Sequence, residues 1–241
     1  MLGGVMAHSS VASLIASQTV PPPAKWAVYF DFDNTLTGFD VLDAIISRYS
    51  ENGDWMDLEE SWRAGKIDTR TCLDGQIRGL RVSPSDLEDY LDSIELDPHF
   101  IPIVKLLAGQ GIAPVILSDS FTYFIKYVLA NHGLSHLAVF ANEVIPSGDR
   151  WIPSFPFHGK GCPHCAHCKR QHLSQNGKTN LFAGDGLSDF CGAEAADIVF
   201  AKATLLKHFR RNEWPCHEFE NLKPVHGLLQ EWIHAHKNNE E

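Results

Sequence analysis

The sequence has 241 residues, which is enough to bury a large core in one or two domains. Its formal net charge of -10 argues against a general nucleic-acid binder, because such proteins need a basic face to neutralise phosphates. No apolar stretch approaches the roughly 18 residues of a membrane span. We therefore expect neither nucleic acid nor a membrane as a partner, and a site for an anionic ligand would need a local cation.

Residues 1–25 precede the first predicted strand and are expected to form a disordered tail closed by three prolines, Pro21 to Pro23. They carry no charged side chain before Lys25, so the basic start of a secretory signal is missing. Cysteines in a mid-sized chain without such a signal suggest reduced thiols and a cytoplasmic setting.

A block of helical pattern, residues 41–95, follows the first strand. It contains four short amphipathic segments split by Gly and Asp, which predict a small helical bundle. Ser83 and Asp86 resemble a capping box, with Pro84 at the first helical position. We therefore assign residues 26–40 and 96–241 to one core domain and residues 41–95 to an inserted helical domain.

In the remainder of the chain, predicted strands alternate with predicted helices, one of which begins at about Lys169. This alternation predicts an α/β fold with a mainly parallel sheet covered by helices on both faces. The segment 148–158 reads as a hairpin or an irregular excursion. The predicted strands are AVYF (27–30), IAPVILSDS (112–120), HLAVFANEV (136–144), TNLFAGD (179–185) and DIVFA (197–201).

Polar side chains stand at the ends of three predicted strands. Asp31 and Asp33 follow the first, Ser118 and Asp119 the second, and Asp185 the third. In open α/β sheets the ligand crevice lies beyond the carboxyl ends of the strands, so we expect these groups to converge.

Converging carboxylates repel one another unless a cation lies between them. Mg²⁺ prefers hard oxygen ligands and binds phosphate oxygens as well. Asp189 follows Asp185 by one helical turn, and Lys169 stands at a predicted helix start, where a cation does not complement the helix dipole. The acids therefore predict a magnesium site, and a nearby anion would explain the lysine.

Four segments, in order, resemble the motifs of the haloacid dehalogenase (HAD) superfamily. They are DFDNT (31–35), SDS (118–120), Lys169 and GDGLSD (184–189). Their spacing is similar to that of the phosphoserine-phosphatase-like branch, which carries a helical cap between the first two motifs. The resemblance implies a Rossmann-like three-layer core with a mainly parallel sheet and a small inserted helical cap of the C1 type.

Within that branch the chain is most similar to phosphoethanolamine/phosphocholine phosphatases and to methionine-salvage (hydroxyketo-methylthiopentenyl phosphate) phosphatases. The segments SDSFTYFI, PFHGKGCPHCAHCK and GDGLSDFC carry this likeness, which runs from Trp26 to Trp232. The resemblance implies a Mg²⁺-dependent phosphatase that hydrolyses a small phosphomonoester, such as a phosphorylated amine or a methionine-salvage intermediate. Alternatives are a phosphotransferase of the same fold and a non-catalytic protein that binds a partner through its cysteine-rich loop.

The resemblance also implies roles for single residues. Asp31 would be the nucleophile that becomes an aspartyl phosphate, and Asp33 would protonate the leaving oxygen and then activate water. Asp31, the backbone carbonyl of Asp33 and Asp185 would be magnesium ligands, and Asp189 would either bind the ion directly or lie just behind these ligands.

Two further groups would act on the phosphoryl group itself. Ser118 would donate a hydrogen bond to a phosphoryl oxygen, and Lys169 would neutralise charge. Lys160, nine residues earlier, is a rival for the lysine role.

Asp40, Asp119, Ser118 and Gly186 are the candidate substrate-binding residues. Phosphoserine phosphatases, which this region resembles, carry a glutamate at the position of Asp40 and Gly-Gly-Phe where this chain has residues 119–121. The difference argues against phosphoserine, and Asp119 and Asp40 could instead face a substrate amine or quaternary ammonium. Asp40 could equally serve only to cap the first cap helix.

Three of the six cysteines fall within one loop, while Cys72, Cys191 and Cys216 are scattered. Three thiols at two-residue gaps plus a histidine could bind structural zinc. The alternative is that the loop thiols are reduced and packed against the cap. The proposed ligands are His158, Cys162, Cys165 and Cys168.

Overall fold

The computed structural model describes residues 20–51, 53–160, 162, 164–173 and 177–238. Most of the predicted tail, residues 1–19, therefore lies outside the described residues. Residues 20–25 pack on the core: Trp26 Nε1 donates to the carbonyl of Pro21 over 2.7 Å, and His236 Nε2 lies 2.6 Å from the carbonyl oxygen of Val20. Residues 20–25 thus pack on the core although the sequence placed them in the tail.

A seven-stranded sheet in the order β4-β3-β2-β1-β5-β6-β7 forms the centre of the fold. All neighbouring strands are parallel except β3 and β4, which form an antiparallel hairpin at one edge. Of the two predictions for segment 148–158, the hairpin is therefore correct, since this segment contains β4. The strands are β1 (Trp26–Phe30), β2 (Val115–Phe121), β3 (Ala138–Ser147), β4 (Arg150–Ser154), β5 (Thr179–Gly184), β6 (Ile198–Ala201) and β7 (His217–Glu218).

Helices cover both faces of this sheet, as the alternating pattern predicts. Strand β1 shows why: its alternate side chains are buried in two different apolar clusters, Val28 and Phe30 in one and Tyr29 in the other. The helices are α1 (Val41–Tyr49), α2 (Asp54–Arg63), α3 (Thr69–Arg78), α4 (Pro84–Leu91), α5 (Phe100–Ala108), α6 (Thr122–Asn131), α7 (Phe190–Ala193), α8 (Ala203–Arg211) and α9 (Lys223–Asn238). Helices α5, α6 and α9 belong to the first cluster, and α7 and α8 to the second, so the α/β three-layer architecture is confirmed.

The four helices α1 to α4 form the insertion between β1 and the rest of the core. The chain segments that lead into and out of the insertion are joined by an isolated antiparallel bridge between Thr37 and Leu96. Ser83 caps the start of α4, because its Oγ accepts a hydrogen bond from the Asp86 N–H over 3.2 Å, while Asp86 Oδ2 accepts from the Ser83 hydroxyl over 2.6 Å instead of completing the predicted capping box. The edge hairpin also contacts this insertion, because Trp151 Nε1 donates to the carbonyl of Val82 over 3.1 Å.

One predicted element differs from the structure. The segment that begins at Lys169 is a four-residue 3-10 turn, Lys169–His172, rather than a longer helix, and Leu173 after it is extended. Within the described ranges, no helix has the length and apolar character needed to cross a membrane.

Candidate active site

The sheet brings three chain segments together at one edge. Strand β1 is central and pairs in parallel with β2 and β5, so that Phe30 lies opposite both Ile116 and Ala183. The Asp31 N–H then donates to the carbonyl of Ala183 over 2.9 Å, which fixes the turn after β1 against the neighbouring strand. Asp31, Ser118 and Asp185 consequently lie around the same crevice, and all three line one cavity.

Lys169 lies at the base of this crevice and is completely buried. Its Nζ donates to Asp31 Oδ1 and to Asp189 Oδ1, each over 2.5 Å. Burial alone would lower the pKa of Lys169, but the Asp189 and Asp31 carboxylates outweigh it and raise the pKa, so the lysine stays charged. Lys160, the rival candidate, is exposed, with Nζ 5.9 Å from the centroid of the Phe157 ring.

Asp189 organises the loop after β5. Its Oδ2 accepts the N–H groups of Asp185 (2.8 Å) and Gly186 (2.9 Å), while Oδ1 accepts from Lys169. A Cβ at Gly184 would lie only 2.6 Å from the Asp189 carboxylate, so this position requires glycine. The candidate substrate residue Gly186 thus lines the cavity with its N–H directed to Asp189.

The carboxylates form a donor set that suits a hard divalent cation. One oxygen from each of Asp31, Asp185 and Asp189 lies within 4.8 Å of the others. Lys169 offsets only one of these three charges, and burial together with neighbouring Asp189 raises the pKa of both Asp31 and Asp185. Asn34 Nδ2 donates to Asp185 Oδ2 over 2.6 Å and orients that carboxylate. The set fits Mg²⁺, and the contribution of the Asp33 carbonyl stays a prediction.

The Asp33 side chain is held by the start of the insertion. Its Oδ1 accepts the N–H groups of Val41 (2.9 Å) and Leu42 (3.2 Å), the first two residues of α1. Burial raises the pKa of Asp33 to about 6, although these two hydrogen bonds oppose the shift. A carboxyl group with a pKa near the working pH is suited to both proton donation and proton acceptance.

Ser118 and Asp119 are positioned by a histidine to which the sequence assigned no role. The His167 N–H donates to Asp119 Oδ1 over 2.7 Å, and His167 Nδ1 lies 2.8 Å from the carbonyl oxygen of Ser118. Burial lowers the pKa of His167 to about 3, so the ring is neutral and Nδ1 carries the proton that the carbonyl accepts. Asn142 Nδ2 adds a bond to the carbonyl of Asp119 over 2.6 Å.

The cavity above these groups lies between the core and the inserted helices and has a volume of about 500 Å³. Asp40 lines it and also caps α1, because its Oδ1 accepts the Asp43 N–H over 2.8 Å. The two roles considered for Asp40 are therefore compatible. Helix α2 contributes Glu59, Trp62 and Arg63 to the lining, which no sequence motif indicated.

The cysteine loop differs from the prediction at one ligand position. Cys162, Cys165 and Cys168 do lie together, but the fourth member of their group is Cys191 and not His158. The His158 ring faces the backbone, with Nδ1 3.3 Å from the carbonyl oxygen of Cys165. Cys191 had been counted with the scattered cysteines because it is far from the loop in sequence.

Comparison with known proteins agrees with this geometry. The family model described as "Putative Phosphatase" matches residues 26–240. The 2-hydroxy-3-keto-5-methylthiopentenyl-1-phosphate phosphatase of Brevibacillus brevis is 26% identical over 220 residues, which cover 86% of this chain and 96% of that protein.

Two solved structures share the fold. A HAD family hydrolase from Salmonella enterica serovar Typhi has a TM-score of 0.67 at 18% identity, over 85% of this chain and 71% of that one. A "probable phosphoserine phosphatase" from Vibrio cholerae has a TM-score of 0.68 at 18% identity, over 92% of this chain and 69% of that one. The chain therefore belongs to this phosphatase family and is a phosphoric monoester hydrolase, and it shares its fold with a HAD family hydrolase.

Proposed function

We propose that the protein is a Mg²⁺-dependent phosphatase that hydrolyses a small phosphomonoester with a positively charged leaving group, through an aspartyl-phosphate intermediate in the cytoplasm. The observation that carries the proposal is the buried Lys169, bound to Asp31 and Asp189 at the base of an acidic cavity. A fully buried lysine between two carboxylates supplies the local cation that an anionic phosphate needs in a chain of net charge -10.

The residues around this lysine provide the chemical steps. Asp31 attacks phosphorus, while Asp33 gives a proton to the leaving oxygen and later removes one from the water that hydrolyses the intermediate. The buried Ser118 donates its hydroxyl proton to a phosphoryl oxygen, and Lys169 neutralises charge on the same group. The raised pKa of Asp33, about 6, supports its change from acid to base.

Asp31, Asp185 and Asp189 would hold the magnesium ion. When bound, Mg²⁺ neutralises phosphate charge and orients the phosphoryl group for in-line attack. The carboxylate oxygens within 4.8 Å of one another support this assignment.

The cavity lining favours a cationic leaving group. Arg63 is the only cationic side chain among the described residues that line it, and it pairs with Glu59 at 2.9 Å. Trp62 adds an aromatic ring, which can bind an ammonium group by a cation–π contact worth about 0.5–2 kcal/mol. The acidic side chains of the lining are Asp31, Asp33, Asp40, Asp43, Glu59, Asp119 and Asp185.

The first test concerns the reaction. Phosphate release from a panel of phosphomonoesters should require Mg²⁺, and Asp31→Asn should reduce kcat by about 10³-fold or more, because the amide cannot attack phosphorus. The circular dichroism spectrum and thermal midpoint of the variant should remain close to wild type. Activity within tenfold of wild type, or phosphate passed to an added alcohol instead of water, would contradict the proposed hydrolysis.

The second test concerns the leaving group. Phosphocholine and 3,3-dimethylbutyl phosphate have the same shape, but only the first is cationic, so kcat/KM should favour phosphocholine by about tenfold or more. Glu59→Gln should narrow this ratio, whereas Glu60→Gln, the exposed neighbour on the same helix, should leave it unchanged. A ratio near one, or a preference for a neutral methionine-salvage ester, would exclude the cationic substrate and leave the phosphatase reaction intact.

A further inference from the structure

We infer that Cys162, Cys165, Cys168 and Cys191 form a structural zinc site behind the catalytic groups, independent of the proposed magnesium site. Their sulfur atoms all lie within 4.8 Å of one another. The Sγ atoms of Cys162 and Cys165 are 3.1 Å apart, and Cys191 Sγ is 3.9 Å from each of them. Neighbouring sulfurs of a tetrahedral site lie about 3.8 Å apart, given a Zn–S distance of about 2.3 Å.

The donor type identifies the metal class. Four thiolates are soft ligands that select zinc and exclude magnesium, which takes oxygen ligands. Four protein ligands also complete a tetrahedral shell and leave no position for substrate, so the site would stabilise structure rather than act on phosphate. The chain would therefore carry two chemically distinct metal sites.

Donor groups around the four sulfur atoms offset the negative charge of a zinc ion bound by four thiolates. Four thiolates around one Zn²⁺ leave two negative charges, which nearby donors must offset. The Cys165 N–H points to Cys162 Sγ at 3.4 Å, and Arg170 Nε donates to the carbonyl of Cys191 over 3.0 Å. The Arg170 guanidinium thus lies beside the four-cysteine group.

The position of the four-cysteine group indicates the structural role of the zinc ion. Cys168 directly precedes Lys169, and Cys191 follows Asp189 by two residues. A zinc ion would therefore cross-link the two chain segments whose side chains form the buried ion pair. These segments already approach closely, since a Cβ at Gly192 would lie 3.0 Å from Lys169 Cβ.

Elemental analysis of the full chain, purified without chelators and after removal of any affinity tag, tests the site. We expect about one zinc per chain. Cys191→Ser should lower this content at least about fivefold. His158→Ala should retain zinc, because His158 is the ligand predicted from the sequence that the structure replaces with Cys191. Cys216→Ser should also retain zinc, because Cys216 lies outside the four-cysteine group. Zinc loss in His158→Ala with retention in Cys191→Ser would overturn the assignment.

A second measurement does not depend on folding of the variants. Co²⁺ exchanged into the wild-type protein should give the intense absorption of a tetrahedral thiolate complex, and zinc release by a chelator should make four thiols reactive. Less than about 0.1 zinc per chain, no cobalt complex, or an isolated disulfide between Cys162 and Cys165 would exclude the site.

Discussion

Replacement of Lys169 by methionine tests the central ion pair most directly. Methionine keeps an unbranched side chain in the buried space but removes the charge that Asp31 and Asp189 share at 2.5 Å each. Removal of one partner from a buried pair leaves uncompensated charge and costs about 3–5 kcal/mol in the free energy of unfolding. Domains of this kind have a free energy of unfolding of about 5–15 kcal/mol, so the variant should lose a large part of its stability. It should also lose nearly all of its activity.

The loss should depend on pH, and urea unfolding without Mg²⁺ measures it. Burial and Asp189 raise the pKa of Asp31 in the folded state, so Asp31 binds a proton more strongly in the folded protein than in the unfolded chain. Without the lysine, the ionised Asp31 carboxylate destabilises the folded state. This destabilisation is fully present above the pKa that Asp31 has in the folded state, and it is relieved as the pH falls through that pKa. The deficit of Lys169→Met should therefore be smaller at about pH 5.5 than at about pH 8.

Lys160→Met is the matched control, because Lys160 is exposed and its ammonium group lies over the Phe157 ring. It should change the free energy of unfolding by less than about 1 kcal/mol and leave kcat unchanged. If Lys169→Met unfolded within about 1 kcal/mol of wild type at about pH 8, or kept activity within tenfold, the reasoning about the buried pair would be refuted.

Three other substitutions test the loop, the metal site and the proton donor. Gly184→Ala should lower the free energy of unfolding in urea by about 1–3 kcal/mol and should lower kcat, since the new Cβ would lie 2.6 Å from the Asp189 carboxylate. Gly227→Ala, in a helix with open space around it, should lower neither quantity. Asp185→Ala should raise the Mg²⁺ concentration needed for half-maximal activity by about tenfold or more, and an unchanged requirement would remove Asp185 from the ligand set. Asp33→Asn should still release a burst of nitrophenol from p-nitrophenyl phosphate, whose leaving group needs no proton, but should turn over slowly; rapid steady-state turnover would contradict its role as base.

The fold and the convergence of the site could be predicted from sequence because both depend on local patterns. Apolar strands that end in Asp31, Ser118 and Asp185 mark the carboxyl edge of a parallel sheet without knowledge of any contact. Topology then brings these ends together, since β1 lies between β2 and β5. The α/β class was confirmed for this reason, and the phosphatase family was confirmed because the resemblance rests on short local motifs.

Contacts between distant segments could not be predicted in this way. Cys191 is 26 residues from Cys165 in sequence, and only the packing of α7 beside the loop brings their sulfurs to 3.9 Å. The role of His167 depends equally on a contact with strand β2, 49 residues away. The turn that begins at Lys169 is shorter than the predicted helix, because the chain becomes extended at Leu173.

The hydrogen bonds from the start of α1 to Asp33 make the inserted helices and the proton on that carboxyl group thermodynamically dependent on each other. An ionised carboxylate accepts the Val41 and Leu42 N–H groups more strongly than a protonated one does, so docking of α1 favours the ionised form. By reciprocity, protonation of Asp33 weakens the contribution of these two hydrogen bonds to the docking of α1 by the same free energy. In the proposed cycle Asp33 loses its proton when the alcohol forms and regains it when water attacks. These two bonds to the insertion would then be strongest during the lifetime of the aspartyl phosphate and would weaken as inorganic phosphate is formed, which links this contact to product release.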